Sequence, residues 1–459
     1  MKFCNVEFEV KNLPKYDQDF IPIGLFNKAF LKTAKEPIAI AIERNRGLIS
    51  VYETYIHGTP EMREADCYYI ERIVKFLLWG KGGFKIVIYG NREIYEYINS
   101  VYSENGARSF DFVTMGNIYE RPFVVEWHPY EEKCESTEHF EALGGHTDGC
   151  RIGFDAGGSD RKVSAVIDGE VVYSEEVVWY PKVNEDPEYH YQEILSAFKT
   201  AASKMPRVDA IGISSAGIFV DNKARLVSLF VKVPRDVFEE KVRDIYDRAC
   251  AEMGDVPYEI ANDGDVTALA GAIDLNDTAI LGIAMGTSEA VGYVNPEGKV
   301  TGWLNELAFC PVDANPAAME DEWSGDIGCG VKYLSQDGIN KLAENAGIDL
   351  SAGNTPAEKL KIVQALAEND DERALGVYDS VGCYLAHILP YYADFYDYKH
   401  VLLLGRVTSG KGGERVIATC NRVLAEEYPD FKVNMVLPDE NNRRVGQSVA
   451  AAGLPEIKK

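Results

Sequence analysis

Short apolar or alternating runs at residues 37–42, 48–56, 84–89 and 123–125 have the character of strands with one covered face. Between them, residues 69–79 place Ile70, Ile73, Val74, Leu77 and Leu78 at helical spacing, which predicts a helix burying one side. The stretch 128–149, HPYEEKCESTEHFEALGGHTDG, has Glu, Gly and His but no periodic apolar positions, and reads as a linker. Beyond it the pattern changes. RIGFDAG, KVSAVIDG and EVVYSEEVVW predict three consecutive strands of a meander, followed by a helix at 191–204, a strand at 210–214, a helix at 237–253 and a strand at 258–261.

After residue 261 the order partly repeats, with strands expected at 279–285, 290–294 and 300–304 and then a longer helical insertion. A strand at 401–404, a helix at 413–427, a strand at 433–437 and a helix at 444–452 close the chain. Two successive halves of this kind predict a two-lobed α/β protein with a cleft between the lobes. The units expected are an α/β domain over 1–127, a linker over 128–149, a first lobe over 150–262 and a second over 263–459. The last helix is a candidate to return to the first lobe.

Length and charge narrow this picture. The 459 residues suit about three domains of ordinary size. A composition 46% hydrophobic and 26% charged is that of a globular protein, which excludes disorder or low complexity as the main state. The net charge of −26 repels phosphate backbones and anionic membranes, so neither nucleic acid nor membrane is an expected partner. The nine cysteines contain no C-x-x-C pair, and reduced thiols are expected. The first 20 residues carry charges where a signal peptide needs an apolar core, and no run reaches the length of a membrane span. The expected address is the cytoplasm, and a homo-oligomer, a dimer, is the expected assembly.

Four loops after strands carry candidate chemistry. Asp155-Ala156-Gly157-Gly158-Ser159 can turn backbone N–H groups and a hydroxyl toward a phosphate, with Asp155 placed to orient hydrated Mg²⁺, though the same residues also make an ordinary turn. Gly286-Thr287-Ser288 holds the matching position in the second half, with the carboxylate of Glu289 near where an anion would sit. Asn262-Asp263-Gly264-Asp265 stands at a strand-to-helix junction, where an Asp serves either as helix cap or as a general base at the cleft; Asn262 is placed to bond a hydroxyl. Glu306, in Asn305-Glu306-Leu307-Ala308-Phe309, can accept from vicinal sugar hydroxyls. Two further features are set apart from the chemistry: His387 reads as a packing residue, and the aromatic, acidic run YYADFYDY at 391–398 as packing or a subunit contact.

In this order, from about 151 to 453, the motifs resemble those of the ROK family of sugar kinases and sugar-responsive repressors, in the actin-like, hexokinase-like ATPase superfamily. The family's Asp-x-Gly-Gly-Thr falls on Asp155–Ser159, its Asn-Asp on Asn262-Asp263, its Gly-Thr-Gly on Gly286-Thr287-Ser288, its Gly-Glu-x-Gly-His on 305–309, and its late Gly pair on Gly405-Arg406. The resemblance implies a ribonuclease H-like two-lobed fold and ATP-dependent phosphorylation of a sugar hydroxyl. Asp263 would be the catalytic base, and Asn262 and Glu306 the sugar ligands. Asp155 would serve Mg²⁺, while Gly157, Gly158, Ser159, Gly286, Thr287, Ser288, Gly405 and Arg406 would lie near the nucleotide.

The departures matter too. Family members commonly bind a structural zinc through a cysteine-rich motif and the motif His; here the corresponding run, 322–329, keeps only Cys329, and the His position is Phe309. Zinc needs about four close ligands, so none is expected at this place. The second reading is a sugar-binding regulator or scaffold that has kept the fold and lost the reaction. Its transcriptional form is disfavoured, because residues 1–126 read as α/β and carry no basic excess, unlike a winged-helix module.

Overall fold

The computed structural model describes residues 1–138, 144–158, 160–438 and 440–457, with the side chains of 440–445 left aside. Helix α1 (Ile23–Leu31) precedes a first sheet, which contains β1 (Glu36–Glu43) and β2 (Ile49–Ile56). Helix α2 (Arg63–Gly80) leads to β3 (Lys85–Tyr89), and helices α3 (Arg92–Val101) and α4 (Ser109–Tyr119) lead to β4 (Val124–His128). The strand order is β2-β1-β3-β4, antiparallel except for the β3/β4 pair. Ile38, Ile40 and Ile42 of β1 face the main core, while Ala39 and Ala41 pack on the opposite face with Val87 and Tyr89. The stretch read as a linker lies against the open edge of β2: Thr137 exchanges bonds with Ile49 and Ser136 accepts from Val51, which covers an edge that would otherwise template aggregation.

The meander is β5 (Cys150–Ala156), β6 (Asp160–Ile167) and β7 (Glu170–Val178). Helix α5 (Pro187–Ala202), strand β8 (Ala210–Ser215), helix α6 (Ile245–Ala251) and strand β9 (Tyr258–Asn262) complete a five-stranded sheet of order β9-β8-β5-β6-β7, in which β5, β8 and β9 run parallel. The long helix expected at 237–253 is broken. A π-helical turn occupies Phe238–Val242, and regular helix resumes only at Ile245.

Helix α7 (Asp263–Leu275) then leads to β10 (Ile280–Met285) and β11 (Glu289–Val294), and the helical insertion α8 (Gln336–Asn345), α9 (Pro356–Glu368) and α10 (Glu372–Tyr392) follows. Strand β12 (His400–Leu404), α11 (Lys411–Glu427), β13 (Asn434–Val436) and α12 (Glu440–Ala452) finish the chain. The second lobe's own sheet is four-stranded, order β11-β10-β12-β13. The strand expected at 300–304 does not form: beyond a single bridge between Val294 and Val300 the chain leaves the sheet, and the next amides, Asn305 and Glu306, bond to the end of α2 instead.

One core runs unbroken from the first sheet through α2 into β10, β11, α10 and β12, so residues 1–126 pack as part of the second lobe's interior; the five-stranded sheet has its own core. Helix α12 crosses between them. Its backbone lies directly on β5 and β8 at Gly153 and Gly212, where an added Cβ would stand 1.7 and 1.6 Å from the Ser448 and Ala451 carbonyl oxygens. The buried Arg151 guanidinium donates to the carbonyls of Ala452 and Pro455, at 3.3 and 2.7 Å, and so closes the helix end.

Candidate functional site

The parallel strands deliver their carboxyl ends to one region, as expected of a site in an α/β sheet. Asp155 lies at the end of β5, and its register partner Ser214 on β8 donates its hydroxyl to Oδ1 at 2.8 Å. Lys162 reaches to 3.7 Å of the other oxygen and to 2.9 Å of Asp160. Burial nevertheless holds the Asp155 carboxyl above the usual carboxylate range. In the turn that follows, the Gly157 carbonyl accepts the Trp179 indole N–H at 2.7 Å, and the Lys182 side chain lies against Gly158. Ser159 lies outside the described residues.

Asn262 ends β9 and caps α7. Its Oδ1 accepts the Gly264 N–H and its Nδ2 donates to the Gly217 carbonyl, both at 2.8 Å. The cap role therefore falls on Asn262, and Asp263 is the first residue of the helix with part of its surface open. Burial, then the charge of Asp155, pushes the Asp263 carboxyl up to about 6, against backbone N–H bonds and the Lys182 charge. Asp265 turns inward: its Oδ1 accepts the Tyr293 N–H at 3.0 Å and the Asn305 amide at 2.8 Å, and burial raises its carboxyl to about 7.

Asn305 has φ 54, a left-handed conformation that asparagine tolerates. Its N–H and that of Glu306 donate to the Gly80 and Trp79 carbonyls at 2.9 and 3.0 Å. Burial, then the charges of Asp263 and Asp265, raises the Glu306 carboxyl to about 7. Asp155, Asp263, Asp265 and Glu306 thus form one acidic cluster, drawn from both lobes.

In the β10–β11 turn the Gly286 N–H is directed to the Ser288 carbonyl at 2.9 Å, while Thr287 and Ser288 are exposed. Glu289, expected near the anion, points the other way. It is buried, accepts the Tyr392 hydroxyl at 3.1 Å, and is pushed up to about 8 by burial, which keeps it neutral at pH 7. Gly405, after β12, takes φ 92, and a Cβ there would meet the Met285 carbonyl oxygen at 2.3 Å, so a close approach requires glycine. Gly405 and Asp263 line one cavity of about 280 Å³ with Gly264, Ala284 and Leu404. Arg406 is exposed, and its carbonyl accepts from the Gln364 side chain.

His387 is buried with both nitrogens engaged: Nε2–H donates to the Asn12 carbonyl and Nδ1 accepts from Tyr428, each at 2.7 Å. Tyr391, Tyr392, Phe395, Tyr396 and Tyr398 are buried as packing residues. Sequence reasoning missed Ser214, Lys182 and the α2 carbonyls as parts of this region. None carries a local signal, since each is defined by a partner distant in sequence.

The ROK family model matches residues 151–452. The chain belongs to the ROK family. Among solved ROK structures it is similar to a glucokinase from Streptomyces griseus in complex with glucose and AMPPNP, at 19% identity and TM-score 0.48 over 66% of this chain and 98% of that one. A hexokinase from Thermus thermophilus has 17% identity and TM-score 0.49 over 66% and 97%. A ROK transcriptional regulator, a homologue of the E. coli MLC protein, has 15% identity and TM-score 0.48 over 66% and 77%. No curated protein matches the chain. The fold is the two-lobed α/β fold of actin-like type, here preceded by the additional α/β segment. Among the described residues no helix is long and apolar enough to cross a membrane, and no group of three or more His, Cys, Asp or Glu side chains converges as metal ligands.

Proposed function

We propose that this ROK protein transfers phosphate from Mg-ATP to a hydroxyl of a sugar or sugar derivative. The observation that carries the reading is Asp263: a carboxyl at a helix start, partly open, with its proton affinity raised to about 6 so that it is mostly ionised at neutral pH yet basic enough to take a hydroxyl proton. Glu306 beside it accepts from neighbouring hydroxyls, and Asn262 retains one amide N–H beyond its two structural bonds.

The phosphate side would be formed by Gly157, Gly158, Thr287, Ser288, Gly405 and Arg406, with Lys182, whose side chain lies against Gly158, as a further cation. Gly286 belongs to the same turn as Thr287 and Ser288, and Ser159, which follows Gly158 in sequence, is proposed for the same role. Phosphoryl transfer needs positioning and charge stabilisation more than covalent chemistry, and the cationic Lys182 and Arg406 serve that need. Asp155, steadied by Ser214, is the residue that would hold Mg²⁺ through water. Magnesium, when bound, supplies charge neutralisation at the transferring phosphate.

The inward Gly286 N–H favours a second reading, a sugar-binding regulator without turnover. ADP release from Mg-ATP, measured across hexoses, amino sugars and their N-acetyl forms, separates the two. Release that depends on one sugar supports the kinase; sugar binding with no release across the panel overturns it.

A further inference from the structure

One face of α2, spaced at 72, 75, 76, 79 and 80, meets the loop that carries Glu306, and Phe110 and Arg44 add contacts beside it, to Phe309 and Gly302. At its last turn, the Trp79 and Gly80 carbonyls, which have no partner within the helix, accept the Glu306 and Asn305 N–H groups. The Trp79 ring lies 4.1 Å from that of Phe309, centroid to centroid, and its indole N–H donates to the buried Asp111 at 2.9 Å. The Tyr396 hydroxyl donates toward both the Gly80 carbonyl and Asn305 Oδ1, at 3.3 and 3.1 Å.

One and two turns earlier, the same face grips the 322–329 run. Arg72 and the fully buried Lys75 reach Asp326 Oδ2 at 2.8 and 3.0 Å, and Arg108 reaches its Oδ1 at 2.7 Å. Although burial opposes it, these three cations hold the Asp326 carboxyl well below the usual range. This is the place at which the resemblance puts zinc, and its residues do not fit that ion. Cys329 is a buried thiol, pushed up to about 12 by burial, with buried Cys310 near it; Asp326 is already paired with three cations, and no third ligand converges with the two thiols among the described residues. The two stretches that a metal would join, 305–309 and 322–329, are instead both fastened to one helix.

We infer that α2 is the staple that positions Glu306, with Lys75 and Trp79 as positioning residues, so that the N-terminal segment is a working part of the acceptor side of the cleft. The kinetic consequence rests on the proposed kinase reading; the structural one does not.

The test uses full-length Lys75→Met and Trp79→Leu proteins. Hydrogen exchange at residues 305–310 should quicken about tenfold or more in both, while β5 and β8 keep wild-type protection. The KM for the acceptor should rise about tenfold with the KM for ATP within about twofold, since only the acceptor side loosens. Folded variants with wild-type exchange at 305–310 would overturn the staple, as would equal loosening of β5 and β8. An inactive wild-type protein whose variants still show the local exchange change leaves the staple standing and removes only the kinase reading. Should either variant not fold, the wild-type protein decides: it should contain less than about 0.1 zinc per chain and keep its Tm in a strong zinc chelator. Stoichiometric zinc whose removal lowers Tm overturns the proposal.

Discussion

The Asn305 side-chain amide donates to Asp265 Oδ1 at 2.8 Å, tying the loop that bears Glu306 to the helix that begins with Asp263. The same oxygen receives the Tyr293 N–H from β11 at 3.0 Å, so helix, sheet and loop share one acceptor. Two carboxyls with separate roles in the proposed reaction, Asp263 and Glu306, are held relative to one another by a third that faces away from the cleft.

Removal of that acceptor should loosen the site. Asp265→Ala leaves two buried donors without a partner and should cost about 2–4 kcal/mol of stability in urea unfolding, whereas Asp265→Asn, which keeps a carbonyl oxygen, should cost clearly less. Equal losses in the two variants would show that the shared acceptor is not what matters.

The raised Asp263 carboxyl predicts an acid limb in the pH–rate profile. The base acts ionised, so log kcat/KM should fall with a slope of about one as pH drops below about 6. Asp155 and Glu306 share its field, so the measured midpoint belongs to the cluster and not to one residue. A flat profile between about pH 5 and 8 would contradict the assignment.

Glu289 predicts a pH-dependent stability. Its folded pKa of about 8 lies above the ordinary carboxylate value, so its contribution is present below about pH 4.5 and lost as pH rises through 8. Glu289→Gln can still accept the Tyr392 bond but cannot ionise. Relative to wild type it should gain on the order of a few kcal/mol between pH 5 and pH 9 in unfolding measurements, and a constant difference across that range would count against a buried neutral carboxyl.

Arg406 is exposed, so Arg406→Ala should leave Tm nearly unchanged. If its guanidinium serves the nucleotide, the KM for ATP should rise severalfold with the acceptor KM unaffected. Steady-state kinetics with each substrate varied in turn checks this.

The elements that carry the site were legible where a local rule dictates them. The strands at 36–43, 150–156 and 160–167 follow from apolar runs with covered faces, and the Asn262-Asp263 junction from a cap residue before an apolar helix face. What sequence could not show is pairing over distance. Residues 300–304 have the composition of a strand, yet the chain leaves the sheet there because Trp79 and Gly80, more than 200 positions earlier, offer carbonyls to the next two amides. Glu289 looked like a charge beside an anion because β11 could not be given a facing, and the facing turns its side chain onto Tyr392. Residues 1–126 gave no hint of a place in the site, since their contribution is made through α2 contacts that have no motif of their own.

The most direct test of the account is Asp263→Asn, with acceptor binding measured by calorimetry and sugar-dependent ADP release measured in the same preparation. The account predicts acceptor affinity within a few-fold of wild type and turnover slower by about two orders of magnitude or more. Turnover close to wild type in a variant that still binds the sugar would contradict it.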